Sequence, residues 1–480
     1  MTTTDTKNAK KAPLRRGAQD EERALAPDLA RGMMLLLIVL SNTAFHLWAA
    51  RHGPSGWQPV DGTWADRAVQ FTMITVLDLR VYPLFAFLFG YGMMQLYLRQ
   101  IEAGASGRAA VGILRRRSLW LIVIGLSHAT LLMAGDIVGY YGLLSLVLGW
   151  LFVRRSERAL KWWIGIAAAQ LVFFTAQPVI TALLRGGLGS LGDSGAEAGF
   201  EAYASGEENG LVALGTRLMT GLFVTFAGAP LALIGGGYLV FLLGFWAARR
   251  RVLEEPGRHL RLLRRTAVSG IAVGWLGGLP AALAHVGALE VPDDAQSEEG
   301  ALTILRDFTG NAAGIGYVAA VALFAHWWTQ WSSQQGRWGA TAVVAVSAVG
   351  KRSLSCYLAH SLIFSPLLAA WGLGLGEHLT SATMAVFAVG VWLVTVAGAY
   401  ALERAGRRGP AETVLRRLVY RPPAVGTSQA RSAIRPRTTA ANPVGSRPSP
   451  RAAAARERCF AFRVPPTVPS ERGRPSRPAR

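Results

Sequence analysis

The stretch RRRSLWLIVIGLSHATLLMAGDIVGYYGLLSLVLGWLFVRR, Arg115 to Arg155, decides the fold. Arginines close it at both ends, and between them two apolar runs, near 117–135 and 137–153, are separated by a single acid, Asp136. A helix needs roughly 20 apolar residues to cross about 30 Å of hydrocarbon, and each run approaches that length. Only a helix satisfies its own backbone polar groups in lipid, so the pair predicts a helical hairpin. Its basic ends lie on one side of the membrane and Asp136 on the other.

Working outward, the same kind of run recurs near 32–50, 70–98, 160–184, 223–248, 266–288, 308–328, 352–371 and 380–402. With the first pair this makes about ten crossings and an all-α, polytopic membrane helix bundle. The second run is too long for one straight crossing, and Asp78, Arg80 and Pro83 are expected to break it. Residues 211–222 could add an interfacial helix and 339–350 a half-helix. Glycines in GIGYVAA and GGGYLV are expected to let helices pack closely. The composition agrees, with 51% hydrophobic and only 16% charged residues among 480.

Basic residues cluster before the first run (Lys7, Lys10, Lys11, Arg15, Arg16), at Arg115–Arg117, at Arg154, Arg155 and Arg158, at Arg249–Arg251 with Arg264 and Arg265, and after the last run (Arg404, Arg407, Arg408). The alternate loops, GDSGAEAGFEAYASGEENG and LEVPDDAQSEEG, are acidic. That alternation predicts both termini on the cytoplasmic side. The net charge of +21 does not indicate nucleic acid, because residues 421–480 alone carry 13 Arg against Glu457 and Glu471, or +11. This Pro/Arg-rich tail is expected to be disordered and to meet anionic membrane lipids. The expected organisation is a disordered segment 1–23, a membrane bundle 24–184, an acidic extracytoplasmic loop 185–210, a second bundle 211–405 and the tail. Two cysteines, Cys356 and Cys459, make neither a disulfide framework nor a zinc site, and no metal is expected.

Polar residues inside apolar runs are costly and mark candidate sites. In PDLARGMMLLLIVLSNTAFHLW, Arg31 and Asn42 are 11 residues apart, about three turns and roughly 16 Å along one helix face. Asp28 and His46 lie near the same stripe; the plainer alternative is an interfacial Asp28–Arg31 pair with Asn42 bonded to a neighbouring helix. His128 lies inside a run, where an imidazole can act as general base or simply bond a carbonyl. Asp136 suits the N-cap of the following helix whatever else it does. Asp78 and Arg80 form either a cavity lining or a structural ion pair. In GKRSLSCYLAHS, Lys351 and Arg352 could hold a phosphorylated donor or serve as membrane anchors, and Tyr357 and His360 follow within the run.

Four stretches together resemble the YeiB-like family, known as domain of unknown function 418. Its pattern LDxLRGxALLGILLVNxxxF is matched at Asp28, Arg31, Gly32 and Asn42; VYPLFAFLFGYGM, RRRSLWLIVIGLSHATLLMAGDIV and, more loosely, GKRSLSCYLAHS match three later motifs in order. The first part of that family is similar to transmembrane acyltransferases of the heparan glucosaminide acetyltransferase type. The resemblance implies transfer of an acyl group from cytosolic acyl-CoA to a glycan, lipid or other small-molecule acceptor, in a bacterial plasma membrane. In a related branch an Arg is followed 11 positions later by a catalytic His; here that position is Asn42, which accepts no proton at neutral pH. The base then falls to His128 first, or to His46, His52 or His360. Arg31, Lys351 and Arg352 would hold the donor, and Asn42 would orient or stabilise the oxyanion. Two other classes stay open: a secondary transporter or flippase lined by Asp28, Arg31, Asp78, Arg80 and His128, and a structural or sensory membrane protein.

Overall fold

A computed structural model describes residues 24–53, 57–184, 201–297, 300–331 and 337–420. The expected N-terminal segment 1–23, most of the acidic loop 185–210 and the tail 421–480 lie outside the described residues. Among the described residues all regular structure is helical, apart from one isolated bridge between His52 and Pro59. In order the helices are α1 (Leu25–Ser41), α2 (Trp64–Thr72), α3 (Val81–Glu102), α4 (Gly107–Leu131), α5 (Ile137–Phe152), α6 (Glu157–Leu184), α7 (Gly210–Phe223) and α8 (Ala229–Ile234). They continue as α9 (Leu239–Arg249), α10 (Leu260–His285), α11 (Asp293–Gln296), α12 (Ala301–Trp331), α13 (Arg337–Lys351), α14 (Ser353–Leu368), α15 (Ser381–Arg404) and α16 (Pro410–Val419).

Among the described residues six helical segments are long and apolar enough to cross a bilayer: Trp64–Glu102, Glu157–Thr181, Gly210–Ile234, Pro256–His285, Ala301–Trp331 and Ser381–Arg404. Helices α13 and α14, bent by 87° at their junction, make a seventh when taken as one span. The remaining expected runs fall on α1, α4, α5 and α9. Of these, α1, α5 and α9 have 17, 16 and 11 residues, and α4 carries Arg115, Arg116 and Arg117 in its first half. The run expected at 223–248 is divided: α7 continues through a π-turn (Val224–Gly228) into α8, and α9 starts afresh after Gly235–Tyr238. The long second run breaks at a π-turn, Met73–Leu77, followed by Leu79 at φ 63°. Pro83 is not the breaker. It sits in the first turn of α3, where a missing amide costs nothing.

The most extensive helix pairings are α10 with α12, α3 with α9, α4 with α5 and α1 with α13. Each is made at glycines. A side chain at Gly90 would strike the Phe241 carbonyl, and one at Gly244 the Phe87 carbonyl. Gly125 faces the Gly139 amide, Gly274 faces Ala313, and Gly350 faces the Asp28 carbonyl. In lipid, where apolar side chains gain little by leaving their solvent, close backbone approach supplies the dispersion contacts that hold helices together. The outward faces are apolar: Trp162, Phe173, Leu276 and Val386 are largely exposed, as a lipid-facing surface requires.

Substituting Gly244→Ala should therefore destabilise the bundle by about 1–3 kcal/mol through overpacking against α3. Gly390→Ala, where no atom lies within 4 Å, should be neutral or stabilising. Detergent unfolding followed by circular dichroism reads both; equal effects would refute the pairing of α3 with α9.

Candidate functional site

Asp136 begins α5, and its Oδ2 accepts a 2.6 Å hydrogen bond from the Gly139 amide, the cap expected of an aspartate before an apolar helix. Its Oδ1 lies 2.9 Å from His128 Nδ1, on α4, and accepts a 3.2 Å bond from the Tyr357 hydroxyl, on α14. The His128 contact is off the line of a full hydrogen bond, and Nε2 has no hydrogen-bond partner. All three side chains are buried, His128 4% and Asp136 2% exposed, and the rings of His128 and Tyr357 are 5.0 Å apart. A carboxylate fixed by two donors can orient an imidazole set beside it.

Tyr357 and Asn42 border one cavity with Ser41, Tyr82, Gly135 and Ile137; its volume is about 10 Å³, room for a single water. Tyr357 of α14 thus joins the His128–Asp136 pair of α4 and α5 to a cavity that Asn42, at the end of α1, also borders, while His128 and Asp136 do not themselves line it. Tyr82, which sequence reasoning did not single out, completes the wall, and the Tyr141 hydroxyl donates to its carbonyl at 3.0 Å. His46 lies in the turn after α1, edge-on to Phe364 of α14 at 5.2 Å, with Nδ1 unbonded. His360 is buried on α14, its Nε2 3.1 Å from the Thr395 hydroxyl. His52 lies in the loop beyond α1, and burial pushes its pKa below the ordinary imidazole value.

The basic candidates lie elsewhere. Arg31 Nη1 bonds Asp28 Oδ1 at 3.0 Å, near the start of α1. Lys351 Nζ and Arg352 Nη1 reach the two oxygens of Glu403 at 2.6 and 2.7 Å, so one carboxylate on α15 gathers both charges at the α13–α14 junction. Asp78 and Arg80 belong to a third cluster. Arg80 is fully buried and donates to the Asp78 and Gly274 carbonyls, pinning the turn before α3 to α10. Asp78 Oδ2 accepts from Gln58 Nε2 at 3.0 Å, while Arg306 and His285 face it electrostatically. Gln58 and Arg306 had no sequence signal, and His285 only that of an imidazole within the apolar run 266–288.

A further carboxylate, Glu254, sits in the turn between α9 and α10. It accepts from the Tyr91 hydroxyl and the Gln95 amide of α3. Burial pushes its carboxyl up to about 7, against the pull of nearby Arg31.

Residues 247–422 match the family described as "Protein of unknown function (DUF418)". The chain is similar to the uncharacterized protein YxaH of Bacillus subtilis, 25% identical over 423 residues, which covers 83% of this chain and 94% of that one. It is also similar to the uncharacterized protein YeiB of Escherichia coli, 28% identical over 425 residues, covering 83% and 97%. Among the described residues no cluster of three or more potential metal ligands occurs.

Glu254 makes stability depend on pH. Its folded pKa is raised, so its contribution is complete below the unfolded value near 4.5 and is lost as pH rises to about 7. The thermal midpoint of the wild-type chain should fall across that window more steeply than that of Glu254→Gln. Parallel curves would show that this carboxyl is not buried as described.

Proposed function

The chain belongs to the YeiB-like DUF418 family of membrane proteins, and from that premise we propose that it is a membrane-embedded acyltransferase of the bacterial plasma membrane. It would move an acyl group from cytosolic acyl-CoA to an envelope glycan, lipid or other small-molecule acceptor. The observation that carries this reading is His128, its Nδ1 2.9 Å from Asp136 and its Nε2 unpartnered, connected through Asp136 and Tyr357 to a cavity that Asn42 also borders.

The steps balance as follows. His128 Nε2 takes the proton of the acceptor hydroxyl or amine as its oxygen or nitrogen attacks the thioester carbonyl. The Asp136 carboxylate steadies the resulting imidazolium. Asn42, and Tyr357 where its hydroxyl turns from Asp136, donate to the developing oxyanion. Collapse breaks the carbon–sulfur bond, and the departing thiolate recovers the proton from His128. A cavity of about 10 Å³ admits neither substrate, so this is the closed state, and entry requires α14 to part from α1 and α3.

One observation favours a second reading, a secondary transporter or flippase. Asp78, Arg80 and Arg306 are buried together, and buried charges in membrane helices often line transport paths.

The test is mass spectrometry of envelope glycans and lipids from cells with the gene, without it, and with His128→Ala. The expected result is loss of one acyl substituent without the gene and a drop of about a hundredfold or more with His128→Ala. An unchanged envelope accompanied by altered solute uptake would replace the enzyme with the transporter.

A further inference from the structure

Gly135 borders the cavity of about 10 Å³ together with Asn42, Val81 and Tyr357, and it is also covered by a ring: a Cβ there would sit 2.7 Å from Tyr203 Cε1. Gly135 adds no side chain to the wall, so at this point Tyr203 finishes it. That ring does not border the cavity and is only half-buried, so its exposed part meets the exterior. It stacks on Phe45, with centroids 4.2 Å and planes 11° apart, and Trp57 stands edge-on to Phe45 at 5.2 Å. Phe45 follows Asn42 by three residues, in the turn Ala44–His46 after α1.

The chain from Glu201 to Gly206 is strapped down around this ring by hydrogen bonds to neighbouring elements. The Ser205 hydroxyl donates to the Phe45 carbonyl at 2.7 Å, and the Ala370 amide, just past α14, donates to the Ser205 carbonyl at 2.9 Å. The Thr220 hydroxyl of α7 donates to the Ala202 carbonyl at 2.8 Å. Trp48 lies against Gly206, and its Nε1 donates to the Leu368 carbonyl at 3.0 Å. These anchors hold the backbone of the strap, and two of its attachments are the ends of α1 and α14, the helices that bring Asn42 and Tyr357 to the cavity. All of this lies at the Asp136 end of the α4–α5 hairpin. The Arg115–Arg117 cluster is at the other end, which makes this the extracytoplasmic end by the positive-inside rule.

We propose that the Tyr203–Phe45 stack gates an extracytoplasmic entrance to this cavity, through which the acceptor arrives. The acceptor is then a hydroxyl- or amine-bearing molecule outside the membrane rather than a cytosolic metabolite. This deepens the acyl-transfer reading, on which it rests for the nature of what enters; the route itself does not depend on the reaction. Swinging the Tyr203 ring off Gly135 uncovers the cavity wall where it has no side chain, while the strap keeps its backbone anchors. Room for the acceptor still comes from α14 parting from α1 and α3, and the stack decides from which side that room is filled.

The experiment places a thiol in the cavity of the full chain. Val81, a buried residue of its wall, is changed to give Val81→Cys in a Cys459→Ser background, and the background alone corrects for the buried Cys356. A charged, membrane-impermeant methanethiosulfonate is applied from outside to spheroplasts and from inside to inverted vesicles. Tyr203→Ala should speed the reaction from outside by about tenfold, the loss of one aromatic contact, and should leave the inside rate unchanged. Tyr203→Phe keeps the ring and should match the parent. Size-exclusion profiles and thermal midpoints confirm that the variants fold. An outside rate that Tyr203→Ala does not raise, or a rise that is equal from both faces, would overturn the gate. Labelling is read without turnover. A gated cavity in cells whose envelope gains no acyl product would therefore sink the reaction and leave the gate, while a normal product with an ungated cavity would do the reverse.

Discussion

Each of the four principal helix pairs meets at glycines, and two of the polar clusters in the interior, at Asp136 and at Arg80, depend on such close approach. Gly125 shows the dependence most directly. The space its missing side chain leaves is occupied by the Gly139 amide and by the Asp136 carboxylate, so α4 and α5 touch at the point where the hydrogen bond that starts α5 is made. His128 is one turn beyond Gly125 on α4, and is thereby set beside the same carboxylate. The helix contact, the cap and the His–Asp pair are one local solution to packing without water.

Charge burial follows the same logic at the other clusters. A fully buried guanidinium is tolerable in low dielectric only if its donors find acceptors. The two terminal nitrogens of Arg80 find them in backbone carbonyls, one from the broken turn before α3 and one from the glycine-rich stretch of α10, while its Nε has no hydrogen-bond partner. Gly278 lets α10 come near enough to Arg80 for that bond to form. The break at 73–80 thus supplies acceptors that an unbroken helix would have kept for itself. Glu403 plays the corresponding part for Lys351 and Arg352 at the bend between α13 and α14.

These examples mark what the sequence could and could not show. The helical hairpin at 115–155 was legible, because run length, flanking arginines and the lone Asp136 are local signals. Asp136 as the cap of α5 was legible for the same reason. The partners of Lys351 and Arg352 were not, since Glu403 stands about 50 residues away at the end of another helix and no periodicity links them. Asn42, His128 and Tyr357 could be nominated separately as polar intrusions, but their convergence is tertiary. The end of α1 was misplaced for a physical reason: the apolar run continues to residue 50, whereas the helix stops at Ser41 and turns at Ala44–His46. Hydropathy records transfer into lipid, not backbone direction.

Helix α14 is the element that joins these parts. At its start Glu412, from α16, accepts from the Leu354 and Ser355 amides, giving the helix N-terminus a carboxylate although no side chain of its own caps it. One turn in, Tyr357 reaches Asp136; three turns in, Ser365 donates to the Leu132 carbonyl beside the same α4–α5 turn. With an 87° bend at its base, α13 packs along α1 while α14 reaches the turn between α4 and α5. A rotation at that bend would move Tyr357 and Ser365 together, away from Asp136 and Leu132, and would open the cavity without breaking the glycine contacts between α4 and α5. The static hairpin then keeps His128 and Asp136 in register while the neighbouring wall moves.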